Sequence, residues 1–288
     1  MANMREIRAR IRSVKNTQQI TKAMKMVSAA KLRRVQSGTD GMRRFADLCR
    51  EIMSRLPAAG SPFLTPRESV NTVCYVLFVG NRGLCGNYNH ALVRYAAGLL
   101  AEEEHEKLVV LVGRWGRDVI EAAGIPVTTV FDTFGDLPTA EDAALLSDYL
   151  KKLFLEGRAD EVRLVYQHYR TALSQEPACT LLLPAEHRAQ AAAGEEDYIF
   201  HPDPESVLRS AVELYIHAGV YAVLQEARTG EQAARITAMT AATDATAELI
   251  DQLSLDLNRA RQAAITTEIS EIVGGANALR QNREEAEN

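Results

Sequence analysis

The chain has 288 residues, 47% hydrophobic and 25% charged, with a formal net charge of −5 at pH 7. This is an ordinary composition for a folded chain with a sizeable core, and it excludes collagen-like and broadly disordered classes. No apolar run approaches the ~20 residues a membrane-spanning helix needs. The N-terminal MANMREIRARIRS has basic residues but no apolar stretch, so it does not read as a secretory signal.

Two further features of composition bear on function. Aromatic residues make up only 6% of the chain and Ala is abundant, which favours long helices over a β-sandwich. Charge is also unevenly spread. Residues 1–50 hold 13 Lys and Arg against 3 Asp and Glu, a balance of +10 that leaves −15 for the remainder. Such asymmetry suggests that the N-terminal segment meets something acidic. The four cysteines, Cys49, Cys74, Cys85 and Cys179, are isolated and read as reduced, buried thiols.

In chain order, residues 3–56 predict one long helix. Ile7, Ile11 and Val14 start an apolar stripe. It continues through Ile20, Met24, Val27, Leu32 and Val35 to Met42, Phe45, Cys49, Ile52 and Leu56, mostly at steps of three and four. Gly38 and Gly41 weaken its middle by about 1 kcal/mol each relative to Ala, and Pro57 ends it. Residues 69–201 then alternate between strand and helix. Strands are expected at 70–79, 108–112, 127–131, 162–169 and 179–183, and helices at 92–104, 114–123 and 139–156. That alternation argues for an α/β sheet with crossover connections. Residues 189–197 read as a mobile loop.

From Pro204 to about residue 280 no proline interrupts a second long helix, with Asp203 placed to cap its start. Its stripe runs Leu208, Val212, Tyr215, Gly219, Ala222 and then Ile236, Met239, Thr243, Thr246, Ile250, Leu253, Leu257, Ala260, Ala264. A helix of that length would extend about 110–120 Å. One compact domain cannot bury such a rod, so it must pair with another helix, and the N-terminal one is the obvious partner. The expected fold is α/β: a long antiparallel coiled coil of the N- and C-terminal helices with an inserted Rossmann-like α/β domain. The expected division is 1–57, 58–203 and 204–288.

Candidate chemistry is sparse. The turn GNRGLCGN at 80–87 follows a strand and precedes a helix, where phosphate-binding loops sit. Its spacing is G-x-x-G-x-x-G, there is no G-K-[ST], and no acid follows the second strand to hold a ribose. The glycines read instead as devices for tight backbone geometry. His90, His105, His168, His187, His201 and His217 form no metal-ligand spacing, and no triad or carboxylate pair is evident. Lys22, Lys25, Lys31, Arg33 and Arg34 could track a phosphate backbone, though no aromatic residue precedes Phe45 to stack on bases. On residues alone a solvated basic face explains them as well.

Residues 263–278, AAITTEISEIVGGANA, match the pattern I-T-x-E-x-x-[DE]-x-x-x-G-A-x-[SAKR]. Upstream, AM-x-AATD appears at 238–244 and N-x-ARQ at 258–262; NTQQITKAMKMVSAAKLRR occupies 16–34, and RGLCG occupies 82–86. On these motifs, at both ends and the centre in the right order, the chain resembles the gamma subunits of bacterial F-type ATP synthases. The resemblance implies a non-catalytic central rotor shaft that couples ion translocation through the membrane ring to ATP synthesis or hydrolysis. It would turn inside three alpha and three beta subunits, above the epsilon subunit and the c-ring. It would bind no cofactor, metal or nucleic acid, and would lie peripherally on the cytoplasmic side of the inner membrane without a transmembrane helix.

The resemblance also implies partner contacts. Arg261 and Gln262 would catch a beta-subunit loop, with Thr266 and Glu268 about one turn beyond. Met24 and Lys25 would approach an acidic beta segment, and Tyr198 and His201 would lie at the foot near the ring. Three positions depart from the family pattern: Gly80-Asn81 stands where S-D is common, Thr240 where Lys is usual, and His201 where an acid is usual. Antiparallel pairing is expected to bring Met24 opposite the 257–264 stretch, so that cysteines placed there would crosslink.

Overall fold

The computed structural model describes residues 4–54, 61–172, 174–185 and 201–286. Helix α1 (Met4–Ser54) opens the chain. Helix α5 (Pro204–Ala286) closes it. Between them run β1 (Thr72–Phe78), α2 (Tyr88–Glu102), β2 (Glu106–Val112), α3 (Arg117–Ala122), β3 (Thr129–Phe131), α4 (Ala140–Leu155), β4 (Glu161–Tyr169) and β5 (Gln175–Leu183). The expected loop at 189–197 lies outside the described residues, as does Tyr198. The chain divides into two compact units, residues 26–238 and the pair of segments 1–25 and 239–288.

In the second unit, the start of α1 pairs with the later part of α5. Ile7 lines a cleft with Leu253 and Ala260, and Thr21 Oγ1 lies 2.9 Å from Thr243 Oγ1. Moving up α1 from Ile7 to Thr21 therefore moves down α5, which makes the pair antiparallel. The α5 stripe is as expected: Met239 is buried, and Thr243, Thr246, Ile250, Leu253, Leu257, Ala260 and Ala264 are half-buried. Their alternating steps of four and three give a period of 3.5, the repeat of a left-handed coiled coil.

The α1 stripe needs correction. Ile20 is 59% exposed and Val27 55% exposed, while Thr21 and Ser28 are buried. Continuing the period of 3.5 from Ile7, Ile11 and Val14 leads to Gln18, Thr21, Lys25, Ser28, Leu32 and Val35, none of which is exposed. The true seam is polar in its middle, so following hydrophobicity shifts the stripe by one residue. Thr21 tolerates burial because its hydroxyl reaches both Thr243 and the Gln18 carbonyl. Further along, Ala46, Cys49 and Met53 are buried, whereas Phe45 and Ile52 are exposed.

The larger unit is built on a five-stranded sheet of order β3-β2-β1-β4-β5, parallel except for β5. Strand period two splits β1 between two cores. Cys74, Val76 and Phe78 face Leu146, Leu150 and Phe154 of α4 together with Val212, Ile216 and Val220 of α5. Val73, Tyr75, Leu77 and Val79 face Leu92, Val93 and Ala96 of α2. Being covered on both faces, β1 is a nearly continuous apolar run. Strand β5 starts at Gln175, four residues earlier than expected, because Pro177 lies inside it. Proline is tolerated there because β5 is an edge strand.

Two helix starts carry side-chain caps, and the one at Asp203 is the cap the sequence predicts. Thr139 caps α4 by accepting from Asp142 N–H while Asp142 accepts from Thr139 N–H. Asp203 accepts from Ser206 N–H at 2.9 Å at the start of α5. Helix α5 contains an 18-residue stretch long and apolar enough to cross a membrane by length and composition alone, with half of it buried in protein. It packs as a core helix, with Leu208, Val212, Ile216, Val220 and Leu224 in the larger buried cluster.

Glu103, at the end of α2, ties that helix to the sheet. It accepts from Tyr75 OH at 2.6 Å and from Arg163 Nη1 at 3.1 Å, and also pairs with His105. Burial disfavours its charge, but these hydrogen bonds and the Arg163 charge together outweigh it and lower its pKa to about 2. A depressed carboxylate contributes stability that is complete above its unfolded pKa and is lost as pH falls through the folded one. Glu103→Gln is therefore expected to flatten the pH dependence of unfolding between roughly pH 4.5 and 2. Urea titrations across that range check this; parallel wild-type and variant curves would refute it.

Candidate functional site

The turn from Gly80 to Asn87 links β1 to α2, the position of phosphate loops in doubly wound folds. In this chain it is filled from within. Ala222–Ala233 of α5 passes over it with Gln225, Glu226, Arg228, Thr229, Glu231 and Gln232 all buried, and Arg235 buried just beyond. Arg228 Nη1 donates to Val79 O at 3.1 Å and to Glu231 Oε2 at 3.0 Å, while its Nη2 donates to Asn81 Oδ1 at 3.0 Å. Arg235 Nη2 donates to Glu231 Oε1 at 2.6 Å, to Arg82 O at 3.2 Å and to Gly83 O at 3.3 Å. Asn81 N–H donates to Glu231 Oε2 at 3.1 Å.

Other groups fasten the same turn. Gly80 N–H is held by Asn89 Oδ1 at 2.8 Å, and Tyr88 OH donates to Ala227 O at 2.7 Å. Asn81 Nδ2 reaches Phe134 O at 3.0 Å and, more distantly, Asp136, which pairs with Lys31 of α1. Burial opposes the Asp136 charge, yet the Lys31 bond and charge and the Asn81 amide leave its pKa lowered.

The glycines have identifiable work in this packing. A Cβ on Gly80 would stand 3.0 Å from Glu231 Cδ and 3.1 Å from Asn89 Oδ1. Gly86 adopts a positive φ of 57°. Leu84, at φ 60°, holds a conformation that costs a non-glycine residue roughly 1 kcal/mol and is 62% exposed at the tip of the turn. The sequence reading of the glycines as geometric devices describes what they do here.

The α5 clamp is what sequence reasoning missed. The run QEARTGEQAAR interrupts the apolar stripe and reads as a solvated face. One signal could have found it: Arg228, Glu231 and Arg235 stand at i, i+3 and i+7, so Glu231 can pair with both arginines, and Gly230, Ala233 and Ala234 between them, with Ala227 before them, permit close approach.

The residues expected to meet partners lie on two separate helical stretches. Met24 and Lys25 are half-buried on α1, and Arg261, Gln262, Thr266 and Glu268 are exposed on α5. Thr266 Oγ1 donates back to Gln262 O at 3.0 Å. At the observed register Met24 lies opposite the part of α5 near Met239 and Thr243. Arg261 lies opposite the beginning of α1, roughly 30 Å along the pair. The two groups are therefore not brought together, and the expected facing of Met24 with 257–264 is incorrect. His201 is exposed, and Tyr198 lies outside the described residues.

Helix α5 continues beyond Ala260 and Ala263, which line the cleft with Ile7 and Arg10. From Ile265 to Asn277 every residue is exposed, including Ile269 at 55%, Ile272 at 71% and Val273 at 52%. Among the described residues no group of His, Cys, Asp and Glu could hold a metal ion.

An antiparallel pair of terminal helices, with a clamped α/β unit between them in sequence and a bare apolar end on one helix, defines a stalk-type subunit. The ATP synthase family model matches residues 3–279. The ATP synthase gamma chain of Desulfitobacterium hafniense is 43% identical over 282 residues, covering 97% of this chain and all of that one. That of Moorella thermoacetica is 44% identical over 284 residues with the same coverage. A chain of the Euglena gracilis mitochondrial ATP synthase, in an OSCP/F1/c-ring structure, shares the fold with a TM-score of 0.73 at 24% identity, over 97% of this chain and 95% of that one. A chain of the Tetrahymena thermophila mitochondrial ATP synthase central stalk and c-ring has a TM-score of 0.57 at 26% identity, over 77% of this chain and 99% of that one. The chain belongs to the ATP synthase gamma-chain family, and its role is that of the central rotor stalk.

The register is directly testable. Thr21→Cys with Thr243→Cys is expected to form a disulfide readily, since the native hydroxyls are 2.9 Å apart. Met24→Cys with Arg261→Cys is expected to form none. Non-reducing gel mobility reads both, and the opposite pattern would displace the register.

Proposed function

We propose that this chain is the shaft of a bacterial F-type ATP synthase, turning inside three alpha and three beta subunits and fastened below to the epsilon subunit and the c-ring. In this reading the segments 1–57 and 204–288 are the shaft, and 58–203 is the inserted domain. The chain itself is non-catalytic and peripheral to the cytoplasmic face of the inner membrane. The observation that carries the proposal is the bare end of α5. A lone helix with Ile265, Ile269, Ile272 and Val273 exposed on it is covered by other chains in its working state.

The chemistry of that end suits rotation. Ala263, Gly274, Gly275 and Ala276 project little, and apolar side chains make no directional bonds, so this surface gives a smooth potential and leaves angle-dependent hydrogen bonds to Arg261 and Gln262. The β-branched Ile265, Ile269, Ile272 and Val273 share the surface with these small residues. Arg261 and Gln262 are exposed beside the last stretch of the coiled seam, free to meet a beta-subunit loop at one angle, with Thr266 and Glu268 following. Met24 and Lys25 approach a beta segment at a separate level. Tyr198 and His201 are assigned to the foot. Each passing orientation then gives the three beta subunits different contacts, which is a population shift imposed mechanically.

Mixing the chain with its cognate alpha and beta subunits is expected to yield a stable complex that hydrolyses ATP, while the purified chain alone shows no turnover. Turnover by the chain alone, abolished by a substitution within it, would refute the non-catalytic assignment. Separately, Arg261→Ala combined with Gln262→Ala is expected to lower coupled ATP synthesis in membrane vesicles several-fold while assembly stays near wild type. The lost hydrogen bonds are worth about 1–3 kcal/mol at one rotor angle. An unchanged synthesis rate would count against the catch.

A further inference from the structure

In an open α/β sheet, ligands bind outside the carboxyl ends of the strands, where the strand order switches direction. Here that point lies between β1 and β4, the strands on which the connections turn from one side of the sheet to the other. An anion placed there would be held by backbone N–H groups of the glycine turn and by nearby cations. The structure puts a side chain of the same helix that crosses the turn into that position.

The Glu231 carboxylate is 1% exposed. Its Oε2 accepts from Asn81 N–H at 3.1 Å and Arg228 Nη1 at 3.0 Å, and its Oε1 accepts from Arg235 Nη2 at 2.6 Å. One backbone amide and two guanidinium groups converge on one pair of oxygens, as they would on a bound oxyanion. Gly80, bare of a Cβ, lets the carboxylate approach the turn. The cluster holds two positive groups against one negative, all buried, and Arg228 Nε is buried without a hydrogen-bond partner.

We propose that Glu231 is an internal substitute for a bound anion, a positioning residue whose carboxylate completes the oxyanion site of the β1–α2 turn and thereby keys α5 to the sheet. Removal of the side chain leaves a vacant site for a small carboxylate or phosphate, lined by Asn81 N–H, Arg228 and Arg235. The arginines cannot dock the helix by themselves, because without a counter-charge two buried guanidinium groups repel each other and lack solvation. Glu231, Asn81, Arg228 and Arg235 all lie within one folding unit, so the site needs no other subunit.

The test uses the full chain by itself. Glu231→Ala is expected to lower the thermal unfolding midpoint in chloride buffer by about 10 °C. Formate at matched ionic strength is expected to restore at least half of that loss in a saturable manner, with no comparable effect on wild type. Inorganic phosphate serves as the larger probe. Adding Arg228→Met to Glu231→Ala is expected to weaken the formate response several-fold. A formate effect equal in wild type and variant, or unaltered by Arg228→Met, would overturn the proposal. If Glu231→Ala does not fold in any of these salts, Glu231→Gln decides. It keeps the shape but not the charge, and is expected to unfold earlier than wild type; equal stability would overturn the proposal.

Discussion

The structure turns on a buried cluster of charge. Arg228, Glu231 and Arg235 lie on one helix, inside protein, gripping the backbone of the turn that ends β1. Buried ions cost several kcal/mol each to desolvate, and their attraction offsets this only when geometry and additional hydrogen bonds are good. Here the additional bonds come from Val79 O, Asn81 Oδ1, Asn81 N–H, Arg82 O and Gly83 O, so the turn is part of the pair's solvation. The consequence is specificity of placement: α5 can sit on the sheet at one rotation and one height, because any slip leaves a buried charge unpaired. Apolar packing alone tolerates such slips more easily.

That constraint suits a stalk. A helix meant to carry a twisting load through an α/β body must not rotate within its socket. Contacts within the same unit close the socket: Tyr88 OH on Ala227 O, Tyr169 backbone N–H and His168 on Glu226, and Gly38 of α1 set close against Gln225 of α5. A Cβ at Gly38 would stand 2.9 Å from Gln225 Oε1, so α1 comes close to α5 only because a glycine is there. A residue that weakens α1 by helix propensity is thus explained by a contact more than 180 residues away in sequence.

The far end of α5 shows the opposite physics. There the coil seam is light, with half-buried Ala and Thr residues, and then stops. Helices of isolated character are marginal in water, and most helical stability comes from packing an apolar face. The exposed Ile and Val residues of 265–273 are consistent with surface that a surrounding assembly covers. Tight, charged and fixed in the body, bare and largely uncharged at the end: the two parts of one helix carry opposite chemistry, which fits the proposed role in which one part holds and the other slips.

Much of this was legible in the residues. The period of 3.5 in α5, the apolar run of β1, the capping box at Thr139 and the Asp203 cap are local patterns, and local patterns follow from backbone geometry alone. The motifs at both ends and the centre carried the family, and with it the stalk function. The middle of the α1 seam was not legible, because Thr21 and Ser28 are polar yet buried, and only a partner across the coil, Thr243, explains the burial of Thr21. Nor was the clamp: QEARTGEQAAR has the composition of a wet surface, and its burial depends on a turn some 150 residues earlier presenting carbonyls and an amide to it. Sequence alone determined the elements and their order, since propensity and periodicity act over a few residues. The tertiary structure alone decided which polar side chains went inside and at what register the helices met, since burying a charge is settled by partners that only folding brings within hydrogen-bonding distance.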